Sequence, residues 1–359
     1  MKIQLLCKRH YTNKDLLNDR FGRLYHLPVQ LARCGDSVSV VALDYRSTMQ
    51  AELEAADATF STLPASPTRW PTVLPNLYRR TKTFGPDVLI ASGDSHIGYI
   101  GLKIARRLGI PFVFDIYDYY PAFAGNRLPG MKAMFGAAVQ SADLILCASR
   151  PLLQRLSASN SNTLLIENGV DRELFAPGNM QDARTKLRLD QKANIVGYFG
   201  SITPSRGPLL IAACETLRQK IPSVRLLLAG PVSNIDIDKP WIDYLGERAQ
   251  EGVPALIRAC DVVTVPYAAN SFNSMAGPCK IAEYLASGKP VVATRISGHE
   301  EIFYDAPESL CEPEAHDMAR ALVRQLNDPI MATFPETLDW AAIGAKLHDS
   351  LHTRLTQPV

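Results

Sequence analysis

Along almost the whole of this 359-residue chain, short apolar runs alternate with longer segments of helical spacing. IQLLC (3–7), VSVVAL (38–43), DVLIAS (87–92), FVFDIY (112–117), LILCAS (144–149) and TLLIE (163–167) form a first series. IVGYFG (195–200), RLLLAG (225–230), VVTVPY (262–267) and VVAT (291–294) form a second. Continuous apolar strands separated by helices predict parallel sheets with helices on both faces. Two such series predict an α/β chain of two doubly wound domains, with ligand in the crevice beyond the strand carboxyl ends. A polar run after NGVD separates the series and reads as linker plus short helix. It sets a first domain at 1–175, a linker at 176–189 and a second domain at 190–336. Beyond it, Trp340, Ile343, Leu347 and Leu351 recur at helical spacing.

Composition fits an ordinary globular protein, with 47% hydrophobic and 21% charged residues. Lys and Arg outnumber Asp and Glu by 19 to 13 over residues 1–170, and are outnumbered 19 to 23 in the remainder. The mild basic excess of the first half favours an anionic neighbour such as a membrane surface, and nothing suggests nucleic acid. The seven cysteines include no C-x-x-C pair and sit mostly in apolar settings, as small buried hydrophobes do in a reducing compartment. The opening apolar run is too short for a signal peptide, and no stretch approaches the length of a membrane span. The expected place is cytoplasmic, with peripheral association at the inner face of the membrane. Two segments of mixed basic and apolar character, 69–82 and 126–139, are the candidates for that contact.

The segment SMAGPCKIAEYLASGKPVVAT (274–294) carries the sharpest chemical signal. Pro278 suits the first position of a helix, and Gly277 ahead of it lets backbone N–H groups approach a ligand. Gly288 suits the helix stop, ahead of the strand VVAT. A helix entered this way presents free N–H groups and a positive dipole end to phosphate. Lys280 and Glu283 lie one turn apart on one face. A lysine near phosphate and a carboxylate one turn deeper suit a nucleoside diphosphate, the carboxylate accepting from ribose hydroxyls. A plain amphipathic surface helix would carry the same residues.

The segment resembles the nucleotide-sugar signature of GT-B glycosyltransferases of family 4. The match is to the variant P-x-K-x-x-E-Y-x-A-x-G-K-P-V-V, similar to bacterial exopolysaccharide glucuronosyltransferases. IENGVDRELF (166–175), VGYFGSITPSRG (196–207), LLLAGP (226–231), VPALIRACDVVTVPY (253–267) and SGHEEI (297–302) follow in the family's order. The resemblance implies two Rossmann-like domains facing a central cleft, with a terminal helix at 337–359 crossing back onto the first. It also implies metal-independent transfer of a hexosyl or uronosyl group from a UDP- or GDP-linked sugar to a saccharide or lipid-linked saccharide, without a cofactor. Polysaccharide or glycolipid synthesis would be the setting.

By the same resemblance, Glu283 is the ribose-binding glutamate, and Lys280 meets the diphosphate or a donor carboxylate. Arg206 takes the lysine place of the family's R-x4-K pair, whose first member falls on Ser201. Gly200 lets the chain pass close to phosphates, and Leu245 and Gly246 fall where the base pocket lies. Asp118 matches the aspartate of the family's H-D element and is the expected base toward the acceptor, with His96 as a second candidate. Two departures stand out: Met275 replaces the first glutamate of E-x7-E, and Ser201 replaces a basic residue. They open the alternative of a catalytically degenerate protein that binds a nucleotide sugar or a partner. A nucleotide-sugar epimerase on the same fold is a further alternative. The D-x-D at 236–238, the near G-x-S-x-G at 93–97 and the single histidine at 299–301 carry no catalytic or metal reading.

Overall fold

The computed structural model describes residues 1–355, apart from 12–13, 124, 126–127, 271–272, 276, 278 and 297. The side chains at 67 and 70 are also left out of the description. Packing divides the chain into two units. Unit 1 is Met1–Gly169 with Trp340–Val359 and the short stretch Met275–Gly277; unit 2 is Val170–Ser274 with Pro278–Asp339.

Unit 1 begins with β1 (Lys2–Lys8), the two-residue strands β2 (His10–Tyr11) and β3 (Lys14–Asp15), α1 (Arg23–Arg33) and β4 (Ser37–Asp44). It continues through β5 (Glu52–Ala55), β6 (Ala58–Pro64), α2 (Trp70–Phe84), β7 (Val88–Ser92), α3 (Ser95–Leu108) and β8 (Phe112–Ile116). Then come α4 (Met131–Ser141), β9 (Leu144–Cys147), α5 (Arg150–Ser157) and β10 (Thr163–Leu165). Eight of these strands form one sheet in the order β10-β9-β8-β7-β1-β4-β6-β5, parallel except for β5.

Alternate residues along each strand feed two separate cores, as a period of two requires. Leu6, Val41, Leu89 and Phe114 pack with Val73, Ile97, Phe135 and Leu152 on one face. Leu5, Val40, Ile90 and Val113 pack with Leu24, Leu27, Leu31, Trp340, Ile343 and Leu347 on the other. The second layer therefore needs α12 (Trp340–Leu355), which comes from the far end of the sequence. It crosses α1 closely: a Cβ on Gly344 would meet Gln30 Cβ at 2.2 Å. At the crossing, Trp340 stacks on His26 with ring centroids 5.1 Å apart.

The hairpin β5–β6, absent from the expected strands, forms the sheet edge. Its two connecting residues, Ala56 and Asp57, both adopt positive φ, as the hairpin turn that matches strand twist demands.

Unit 2 contains α6 (Met180–Leu187), β11 (Asn194–Phe199), α7 (Gly207–Arg218), β12 (Val224–Ala229), β13 (Ile242–Tyr244) and α8 (Val253–Ala259). β14 (Val262–Val265), α9 (Cys279–Ala286), β15 (Val291–Thr294), α10 (His299–Ile302), β16 (Leu310–Cys311) and α11 (Ala315–Asn327) complete it. The six strands form a parallel sheet in the order β13-β12-β11-β14-β15-β16.

The expected linker 176–189 is instead folded into unit 2. Asn179 caps α6 by accepting from the Asp182 N–H. Arg184, buried, donates to the Ala259 and Gln191 carbonyls and pairs with Asp261 at 2.7 Å. A polar sequence reads as linker, yet one buried arginine with three acceptors is enough to fasten it. The cysteines follow expectation: Cys7, Cys147, Cys214 and Cys311 are buried, and burial first of all pushes their thiols up to about 12.

Candidate functional site

In each sheet the connections leave the first strand toward opposite sides, and the crevice at that reversal is where ligands bind in doubly wound folds. In unit 2 the reversal falls between β11 and β14. At its carboxyl end three glycines bring backbone together. Gly230 N donates to Gly246 O at 3.0 Å, and Gly200 N donates to Ala229 O at 2.8 Å. A Cβ on Gly230 would lie 2.3 Å from Gly200 O, so only glycine permits this approach. On Gly200, φ is +152°, and a Cβ would meet Lys280 Cε at 2.4 Å. Lys280 thus lies directly against the turn that follows β11.

Arg206 caps α7, and its guanidinium lies 4.5 Å from the centroid of the Tyr267 ring at the end of β14. Its Nε is buried with no hydrogen-bond partner. The Tyr198 hydroxyl donates to Ser201 O at 3.1 Å, holding the turn between β11 and α7. Burial works against the charge on both cations, but the acidic side chains around them, Tyr267 first and then Tyr198 and Cys279, outweigh it. Both cations therefore hold their protons more firmly than usual.

Glu283, one turn along α9 from Lys280, has its carboxyl pushed up to about 6 by burial, with Lys280 pulling the other way. Tyr284 next to it is fully buried, and its hydroxyl accepts from Phe199 N at 3.2 Å, which fixes α9 against β11. Two cations and one carboxylate, with a buried donor left unpaired, form a group suited to an anion that also offers hydroxyl donors.

Gly200, Ser201, Arg206, Lys280 and Glu283 are gathered around this one crevice, and Leu245 and Gly246 follow β13 beside Gly230. Leu245 N donates to Leu228 O at 2.9 Å, continuing the β12–β13 pairing. Gly277 is half-buried and belongs to the stretch grouped with unit 1, and Pro278 lies outside the described residues. Tyr198 and Tyr267 went unremarked in the sequence. Each sits near the end of a buried strand that borders the reversal, and that topology is the only signal that could have singled them out. Asn273, fully buried with an unpaired Oδ1, was missed for want of any signal.

In unit 1 the reversal falls between β1 and β7. Lys8 ends β1 and pairs with Asp94, the residue that caps α3. His96 Nε2 and the Tyr45 hydroxyl are 2.9 Å apart. Burial mainly, with Lys8, pulls the imidazole below its usual range against the opposing pull of Asp94. The shift favours the neutral imidazole. Asp118 lies half-buried in the turn after β8, its carbonyl accepting from Tyr120 N at 2.9 Å. Asp115, on the strand itself, is committed elsewhere: it pairs bidentately with buried Arg23 at 2.7 and 3.0 Å and accepts from Ser92.

In the two segments proposed for a membrane surface, Leu77 and Phe135 are core residues, while Leu74 and Leu128 are exposed. Arg127 of the second segment lies outside the described residues. Among the described residues no helix is long and apolar enough to cross a membrane.

Solved structures match this architecture along the whole chain. HepE of Anabaena in complex with UDP superposes with a TM-score of 0.75 at 18% identity, covering 98% of this chain and 100% of that one. Sucrose-phosphate synthase of Thermosynechococcus elongatus gives 0.71 at 18% identity over 98% of each chain. At such identities the likeness defines a fold, and the fold is that of the GT-B glycosyltransferases. Residues 23–174 match the family model Glycosyltransferase Family 4, and residues 193–328 match Glycosyl transferases group 1. Together the two models span most of the chain, which belongs to the GT-B glycosyltransferases.

Among curated proteins, a D-inositol 3-phosphate glycosyltransferase of Segniliparus rotundus is 30% identical over 227 residues, 56% of this chain and 49% of that protein. A candidate teichuronic acid biosynthesis glycosyltransferase, TuaH, of Bacillus subtilis is 30% identical over 169 residues, 44% of this chain and 42% of that protein. The chain spans about half the length of these curated relatives.

Proposed function

We propose that the protein transfers a hexosyl or uronosyl group from a UDP- or GDP-linked sugar to a hydroxyl of a saccharide or lipid-linked saccharide. The observation that carries this reading is the paired placement of Arg206 and Lys280 beside the Gly200–Gly230 contact, with the Arg206 Nε buried and unpaired. That donor fits a diphosphate oxygen, and Glu283 fits the ribose hydroxyls. The complexes of Anabaena HepE with UDP and with UDP-glucose support the same ligand class. In the reaction the acceptor oxygen bonds to the anomeric carbon. The bond from that carbon to the diphosphate oxygen breaks, and its electron pair leaves with the nucleotide. Arg206 and Lys280 stabilise that departing charge. Asp118 takes the acceptor proton in this scheme, and neutral His96 is the second candidate for that role. The order P-x-K-x-x-E-Y suggests a uronic acid donor, whose carboxylate Lys280 would also meet. Action at the cytoplasmic face of a membrane, in polysaccharide or glycolipid synthesis, is the setting we favour.

Thermal stability of the purified protein against UDP, GDP and their sugar conjugates, with chelator present, tests the reading. Binding to the folded state alone raises the melting temperature. A shift with one nucleotide, lost in Lys280→Ala and Arg206→Ala, is expected, followed by donor consumption only when acceptor is supplied. No shift in folded protein would favour the degenerate reading that Met275 and Ser201 raise. Sugar release or epimerisation without acceptor would favour the epimerase.

A further inference from the structure

At the opposite, amino end of the unit 1 sheet lies a group of side chains that the reaction does not use. After α1 the chain turns into β4 through Asp36, whose carboxylate is fully buried. His348 and His352, one turn apart on α12, both reach it. His348 Nδ1 lies 2.7 Å from Asp36 Oδ2 and His352 Nε2 lies 2.9 Å from Asp36 Oδ1. The two imidazole centroids are 4.3 Å apart, and the Met1 nitrogen donates to Oδ1 at 2.7 Å. The three ligand atoms lie within 4.8 Å of one another, and among the described residues this is the one such group of three.

Two imidazole nitrogens and a carboxylate oxygen are the donors of His₂–carboxylate zinc sites. The geometry points to a binding site for a divalent transition metal ion, zinc being the best match, held by Asp36, His348 and His352. The partly exposed imidazoles, at 25% and 38%, leave a side open for solvent as fourth ligand. Tetrahedral zinc with bonds of about 2.0–2.1 Å spaces its ligand atoms by roughly 3.3 Å. Each histidine therefore withdraws from the carboxylate by about half an ångström, the two imidazole nitrogens settle to the same spacing from within 4.8 Å, and each presents a lone pair in place of an N–H. An ion here fastens α12 to the α1–β4 turn, completing unit 1 mechanically and taking no part in sugar transfer. Sequence spacing hid the site, because Asp36 is 312 residues from His348.

Untagged protein stripped with chelator is titrated with zinc by calorimetry, and with cobalt by visible absorption, which reports tetrahedral coordination. One ion per chain is expected, with affinity at least about tenfold weaker in His348→Gln and in His352→Gln. His352 is the more exposed ligand, so its variant keeps the test open if the other fails to fold. Zinc should raise the melting temperature of the parent protein, and raise that of His352→Gln less at the same concentration. Absence of stoichiometric binding by the folded parent overturns the proposal. So does affinity undiminished from the parent's in both histidine variants, or binding abolished by Cys34→Ser at the exposed thiol nearby.

Discussion

At Glu283 the proposed binding role and stability pull in opposite directions at a single residue. Its carboxyl is pushed up to about 6, mainly by burial, so the folded chain binds this proton more tightly than the unfolded chain does. By linkage the group's contribution to stability is unfavourable above about pH 6 and improves as pH falls toward the ordinary carboxylate range. Glu283→Gln should therefore melt higher than the parent at pH 7 while losing its nucleotide-induced shift, read by calorimetry with and without nucleotide. Nucleotide affinity of the parent should fall as pH drops below about 6, where the carboxylate becomes protonated. Gly230→Ala sets a Cβ 2.3 Å from Gly200 O, and backbone cannot swing aside as a side chain can. It should cost about 1–3 kcal/mol in urea unfolding, with weaker nucleotide binding. Lys280 and Glu283 were legible in the sequence because a helix fixes their spacing. Tyr267 was not, since only the folded sheet brings β14 beside β11 and its phenol under Arg206.

Among the elements, the central strands were legible because burial on both faces leaves them apolar throughout. The edge hairpin β5–β6 was not. Its strands alternate polar and apolar residues, and its turn is Ala-Asp in place of the familiar Asn-Gly. The short helix in the polar run was legible, but its place in unit 2 was not, since a polar face and one buried arginine look like linker. The most consequential element is α12. Leu347 is 1% exposed within the core shared with α1 and the sheet. Leu347→Ala should lower stability by about 2–5 kcal/mol, measured as a shift in the denaturant midpoint with unchanged slope.

At the level of the whole chain, each unit carries its own sheet and its own switch-point crevice, so ligand effects should be local in sequence. Hydrogen exchange with and without nucleotide should show added protection in 198–207, 228–231 and 279–284. Protection spread evenly over unit 2 would instead indicate general stiffening. The contribution of α12 to the core of unit 1 also bears on how the protein is made. Unit 2 is complete once residue 339 has been translated, whereas the α1 face of unit 1 still waits for Trp340, Ile343, Leu347 and Leu351. On the ribosome the half made first is therefore finished last. Its open apolar face must be shielded for the entire time it takes to synthesise the other half.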